Sequence, residues 1–259
     1  MSDTALRTRT VTEIVDAAFK LYSRNMAQYV FVTAIAYSPA LVASLILRPG
    51  DLSTTNPDPM KAVSGFLVTM LISIVGIAIM NAVITALGSR AYLGEDVDVQ
   101  AALRQSLPRV PSLLLAAFVS GICYIAGWLL FLVGFFWVAA LLFAVVPIIV
   151  LERRGVIGSI ARSARLSKGH KLHILGTLLM AYAIYLLGSI AISIVFAFTG
   201  SFVLITLAST LYTIVAFPVV GLTTMVLYYD MRIRLEGFDL ERMTQQLGES
   251  GLHSEPVIS

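Results

Sequence analysis

Four stretches of this chain contain no Asp, Glu, Lys or Arg: 25–47, 62–89, 110–151 and 172–229. A helix rises 1.5 Å per residue, so about 20 apolar residues cross the hydrocarbon core of a bilayer. The first two runs hold one span each, and the last two are long enough for two. The runs are continuous Leu, Ile, Val, Ala and Phe, whereas membrane strands would show alternating segments of roughly ten residues. The spacing therefore predicts an all-α polytopic membrane protein with six transmembrane helices, near 28–47, 62–87, 110–131, 135–151, 173–197 and 202–229. Turns are expected at Val133-Gly134 and at Thr199-Gly200-Ser201.

Composition agrees: 58% of the 259 residues are hydrophobic and 13% charged, against about a quarter charged in soluble domains. The first apolar core begins only after a charged leader and is long enough to span, so it reads as a helix and not as a cleaved signal. The single cysteine, Cys123, offers no disulfide framework and reads as a small packing residue.

Of the 18 Lys and Arg, only Arg48 and Lys61 fall in loops on one face. The other sixteen lie in the N-terminal segment, 88–109, 152–171 and the C-terminal tail. The positive-inside rule places that face, and with it both termini, in the cytoplasm. The opposite face has only short connections, of which RPGDLSTTNPDPMK carries three prolines and no apolar pattern.

Each pair of spans is preceded by a short amphipathic stretch. In TVTEIVDAAFKLYSRN the apolar Val11, Ile14, Val15, Ala18, Phe19 and Tyr22 follow helical spacing, and Thr10 with Glu13 fits a capping box. VDVQAALRQSLPR and GVIGSIARSARLSKGHK repeat the pattern. Helices of this kind are expected to lie in the membrane interface at 11–24, 97–107 and 156–168, facing Phe19, Leu103 and Ile160 to the lipid or the bundle. The chain then divides into three repeats of interfacial helix plus helical hairpin, about 11–94, 97–154 and 156–236, closing on Gly94, Gly155 and Gly237 as helix C-caps. A flexible N-terminus at 1–9, one transmembrane domain at 10–247 with a short helix in FDLERMTQQLG, and a disordered tail at 248–259 complete the expected organisation.

The closing LYYDMRIRLEGFDLE, the segment VPIIVLERRGVIGSIARSARLSKG and the opening EIVDAAFKLYSRN together resemble a known membrane family. It is the membrane domain found fused to some bacterial glycerophosphodiester phosphodiesterases and also found alone as a six-helix protein. The resemblance covers roughly 10–245 and implies a bacterial cytoplasmic membrane location. The recurring polar positions of the family correspond here to Glu152, Arg162, Ser163, Gly169, Asp230, Arg232, Glu236 and Asp239. The catalytic barrel has no counterpart: His170, His173 and His253 are the only histidines, no Glu-x-Asp accompanies them, and hydrolysis is not implied.

No Asp, Glu, Lys or Arg lies inside a predicted span, which argues against an ion-coupled transporter. The polar groups at depth are neutral: Asn81, Tyr124, Tyr182, Tyr185, Ser189, Ser193, Tyr212 and Thr213. Hydrogen bonds between helices account for such groups, and a polar groove for a lipid or peptide is the alternative. Pro39, Pro147 and Pro218 each remove a backbone hydrogen bond inside a span. His170 and His173 make a poor metal site without a carboxylate beside them, and no cofactor is expected.

The densest charge lies on the basic face. Arg153, Arg154, Arg162, Arg165 and Lys168 suit contact with anionic lipid headgroups or a partner. Glu152, Asp230, Arg232, Arg234 and Glu236 suit structural ion pairs, with Asp230 to Arg234 and Arg232 to Glu236 each four apart on a helix. Asp230 is expected to pair with Arg234 or with a base of 153–168, tying the third repeat to the second. The expected function is that of a non-enzymatic accessory or scaffold subunit packing with lipids and other integral membrane proteins, with no nucleic acid. The alternative is a small permease or lipid-handling protein with a cavity between repeats.

Overall fold

The computed structural model of the chain describes residues 7–47, 59–129 and 131–237. Among them the regular structure is entirely helical. Six stretches are long and apolar enough to cross a membrane: Met26–Leu47, Pro59–Tyr92, Val99–Leu129, Val133–Leu151, Lys171–Ala197 and Phe202–Glu236. The chain is a multi-pass membrane protein. The expected helix in FDLERMTQQLG, Asp239, His253 and the tail at 248–259 lie outside the described residues.

The helices are α1 (Val11–Arg24), α2 (Met26–Leu47), α3 (Pro59–Tyr92), α4 (Val99–Ser106), α5 (Val110–Leu129), α6 (Phe131–Leu142), α7 (Val145–Leu151), α8 (Val156–Leu166), α9 (Lys171–Ala197) and α10 (Phe202–Glu236). The capping box forms as its spacing predicts: the Thr10 hydroxyl accepts from Glu13 N–H, and the Glu13 carboxylate accepts from Thr10 N–H at 2.8 Å. The Thr10 amide and the Arg7 guanidinium hold the Glu13 carboxyl down at about 2. α1 buries Ile14, Val15, Ala18 and Leu21, while Phe19 stays 41% exposed at the edge of that face.

Three sequence expectations are corrected. The amphipathic stretch at 97–107 is not a separate interfacial helix. Its helical part, α4, runs through one 3-10 turn, Leu107–Arg109, straight into α5. Pro108 lacks the N–H an α-turn needs there but fits the first positions of a 3-10 turn, so the helix tightens without stopping. α1 and α8 are separated from the spans that follow them, by Asn25 and by Ser167–His170 respectively.

The turn expected at Val133-Gly134 is absent, because both residues lie inside α6. The close approach there is permitted by Gly127 of α5: a Cβ built on it would lie 2.9 Å from the Gly134 carbonyl oxygen. The third correction is at Gly155, which is extended and caps the start of α8. Arg153 takes the left-handed conformation there, at φ 55°, while Gly94 and Gly237 do adopt positive φ at their helix ends.

Burial is uneven along the bundle. The last third of α3, from Ala82 to Tyr92, and of α10, from Pro218 to Ile233, is almost wholly buried against α1 and α7. Towards the other end the same helices turn Phe66, Leu71, Leu204 and Leu211 outward, as expected of side chains that face lipid and not a wet surface. The packed core therefore sits at the basic end, and the charged site is built on it.

Candidate functional site

At the basic end α10 leaves the core as Tyr228-Tyr229-Asp230 and then carries Arg232, Arg234 and Glu236. Asp230 is fully buried. Its Oδ2 accepts from Arg234 Nε at 2.7 Å, and its Oδ1 accepts from the backbone N–H of Arg9 at 2.6 Å. Arg234 in turn donates through Nη2 to the Arg9 carbonyl at 2.5 Å. Two side chains one turn apart thus hold both backbone groups of one residue, its N–H and its C=O. His173 Nε2 of α9 lies 3.3 Å from Asp230 Oδ2 without an aligned hydrogen bond.

The expected pairing of Asp230 with Arg234 is therefore present, but the tie to the second repeat is not. A carboxylate held by a backbone amide and an i+4 arginine has no free face for bases of 153–168, and Asp230 joins α10 to the N-terminal segment. Arg9, expected within a flexible terminus, is only 9% exposed, with its guanidinium carbon 5.9 Å from the centre of the Tyr92 ring. Tyr92 stacks on Tyr229, whose hydroxyl meets the Ser89 hydroxyl at 2.6 Å.

Arg162 ties α8 to the end of α7 and to α10. Its Nε donates to Glu152 at 3.1 and 3.2 Å, and its two terminal nitrogens donate to the Glu236 carboxylate, one at 2.7 Å. The Tyr228 hydroxyl and Arg154 Nε complete Glu152 at 2.9 and 2.7 Å, and Arg232 reaches Glu236 at 3.3 Å. The Glu236 carboxylate, with that of Glu152, pushes the Arg162 guanidinium above its ordinary pKa, so it stays charged. Arg162, expected among headgroup contacts, spends its donors on these carboxylates, whereas Arg154 gives only its Nε to Glu152 and stays exposed. Arg153, Arg165 and Lys168 are exposed and form no ion pair among the described residues.

Ser163, one residue on, supports a break in the fourth span. Pro147 cannot donate to the Phe143 carbonyl, and its ring crowds that oxygen. The helix accordingly opens at Phe143-Ala144, between α6 and α7. The buried Ser163 hydroxyl accepts from Ala144 N–H at 3.1 Å and donates to the Leu141 carbonyl at 2.6 Å. Ser163→Ala would strand two buried backbone groups and is expected to lower stability by about 1–3 kcal/mol. Chemical unfolding in detergent checks this: a loss no larger than that of an exposed Ser38→Ala would show that water repairs the break.

Beneath this floor lies a half-enclosed cavity of about 740 Å³ walled by α3, α5, α6, α7, α9 and α10. Its lining is mostly apolar, and its polar members are Asn81, Thr85, Ser120, Tyr124, Tyr182 and Thr224, with no charged residue. The neutral polar groups of the sequence thus divide. Tyr212 donates to the Tyr185 carbonyl at 2.8 Å and Tyr185 meets Thr213 at 3.2 Å, which ties α9 to α10. Asn81, Tyr124 and Tyr182 face the cavity.

Thr85 and Ser120 were not singled out by sequence, although Asn81 with Thr85 and Ser120 with Tyr124 are four apart, the spacing that puts two residues on one helix face. Arg9 and His173 gave no such signal. Among the described residues no group of three or more His, Cys, Asp or Glu could hold a metal ion. No protein-family model, curated protein or solved structure matches this chain.

Proposed function

We propose that this is a non-enzymatic, lipid-handling integral membrane protein whose cavity, lying where three helical units meet, holds a lipid-class molecule. One observation carries the reading: a bundle otherwise packed at its basic end leaves about 740 Å³ unfilled inside the membrane-spanning region. Ligand sites typically measure about 300–1,000 Å³, mostly apolar with a few placed polar groups. An accessory subunit that only packs against neighbours needs no such space, and this favours the lipid-handling reading over the scaffold one.

The remaining expectations belong to the same proposal. The sixteen-to-two division of Lys and Arg supports cytoplasmic termini, the recurring order of short helix and hairpin supports three repeats, and the resemblance supports a bacterial inner membrane. Arg153, Arg165 and Lys168 are placed to meet anionic headgroups at about 1 kcal/mol each.

Extraction of lipid from protein purified in mild detergent tests the reading. About one tightly held lipid per chain is expected. Ala116→Trp, which fills the cavity from a residue only 3% exposed, should release it. Ala139→Phe, from the facing helix, provides a second filled variant should the first misfold. Unchanged lipid retention in folded, filled protein would sink the cavity as a binding site.

A further inference from the structure

Resting on that reading, we infer that the cavity selects an uncharged lipid bearing a free hydroxyl group, whose head is held near the middle of the bilayer and not at its surface. Depth is the first ground. Asn81 lies eleven residues before Tyr92, Tyr182 eleven after Lys171, and Ser120 ten after Val110. At 1.5 Å per residue each sits about 15–17 Å from the basic end of its helix, half the thickness of a hydrocarbon core of about 30 Å. Three helices thus place Asn81, Tyr182 and Ser120 at one level, with Thr85 about one turn nearer the basic end and Tyr124 about one turn deeper, where lipid tails offer no hydrogen bonds.

The second ground is that these groups are unspent. Among the described residues the side chains of Thr85, Ser120, Tyr124 and Tyr182, all on the cavity wall, make no hydrogen bond to protein. Thr223, Thr224 and Thr33, on neighbouring turns, bond back to their own helices at 2.8, 3.0 and 2.8 Å. Asn81 donates through Nδ2 to the Ile77 carbonyl at 3.0 Å, which leaves its Oδ1 as an acceptor. Polar groups at membrane depth ordinarily find partners, so a set that points into one cavity without them is shaped for a ligand's head.

The chemistry of that set defines the head. No Lys, Arg or His lines the cavity, so a phosphate brought to this depth would be an uncompensated charge. Four hydroxyls can donate to ester, ether or alcohol oxygens, while Asn81 Oδ1 requires a donor from the ligand. A quinone or a fully esterified glyceride only accepts. A lipid alcohol both donates and accepts, and the largely apolar wall takes its chain.

The test uses the full chain in nanodiscs, with binding measured by displacement of a fluorescent lipid. The probes are 1,2-dioleoylglycerol and a long-chain isoprenoid alcohol, two sources of the same head, with ubiquinone and dioleoyl phosphatidylglycerol as comparators. One or both alcohols should bind at least tenfold tighter than either comparator. Asn81→Leu should weaken the alcohol roughly five- to tenfold and leave ubiquinone unchanged. Tyr124→Phe with Tyr182→Phe should weaken both, since one uncharged hydrogen bond corresponds to about that factor. If phosphatidylglycerol binds as tightly as the alcohols and the filled Ala116→Trp protein loses both, the cavity reading stands and the hydroxyl-lipid inference is overturned. If the filled protein loses neither, both fall.

Discussion

Asp230→Asn is expected to cost about 3 kcal/mol of stability. Removing one member of a buried ion pair typically costs about 3–5 kcal/mol, because the other charge is left uncompensated in a poor solvent. Asp230 is fully buried and serves two donors, but the Arg234 side chain keeps 24% of its exposure. Water can therefore relieve the stranded guanidinium in part, which places the cost at the low end. The amide introduced at this position can still accept from Arg9 N–H, so the loss reports the ion pair more than the backbone grip. Asp16→Asn, whose carboxylate meets Lys20 at 3.0 Å on a 62% exposed surface, should cost only a few tenths. Unfolding of both variants in the same detergent decides the matter, and equal losses would show that Asp230 is solvated in solution.

Arg162→Ala should be the next most damaging change, at about 2–3 kcal/mol. Hydrogen bonds to charged groups contribute about 1.5–3 kcal/mol each when buried, and Arg162 serves two carboxylates with its side chain 15% exposed. Truncation leaves Glu152 with Arg154 and Tyr228, and Glu236 with Arg232. Arg162→Lys keeps the charge but cannot present a planar fork to both partners at once, so it should restore less than half of the loss. A double-mutant cycle with Glu236→Gln should give a coupling above about 1 kcal/mol. A coupling near zero would mean that the contact between α8 and α10 does not persist in the membrane.

The spans were legible because charge is excluded from hydrocarbon, and that exclusion is written residue by residue in 25–47 and 172–229. Asp230 was legible as a special position from the abrupt step after Tyr229. Its partner Arg234 was legible too, at i+4, but its second partner was not, since the amide of Arg9 is a backbone group and carries no residue-type signal. Gly134 was misread as a turn because a glycine that stays inside a helix and one that bends the chain look alike in sequence; it lies within α6, and the glycine that admits the neighbouring helix is Gly127. Pro147 announced a break but not what would satisfy it, because Ser163 is sixteen residues away and belongs to another helix. The cavity was the least legible feature. It arises from where six helices fail to meet, and only the four-apart polar pairs on α3 and α5 hinted at it.

The grip on the backbone of Arg9 has a consequence for how the protein is made. Its partners are separated by 221 positions in sequence, so the ribosome must deliver nearly the entire chain before the contact can form. Domains made early in synthesis usually fold early, but here the backbone of Arg9 waits for α10. Asp230 and the backbone of Arg9 must then await one another in the water-facing layer, since neither can be dehydrated alone without penalty. Closure of this contact therefore comes late: a chain cut short before α10 keeps the stacking of Arg9 on Tyr92 but lacks the two bonds that hold its backbone, and its N-terminal segment is expected to be more open to proteolysis than in the full chain.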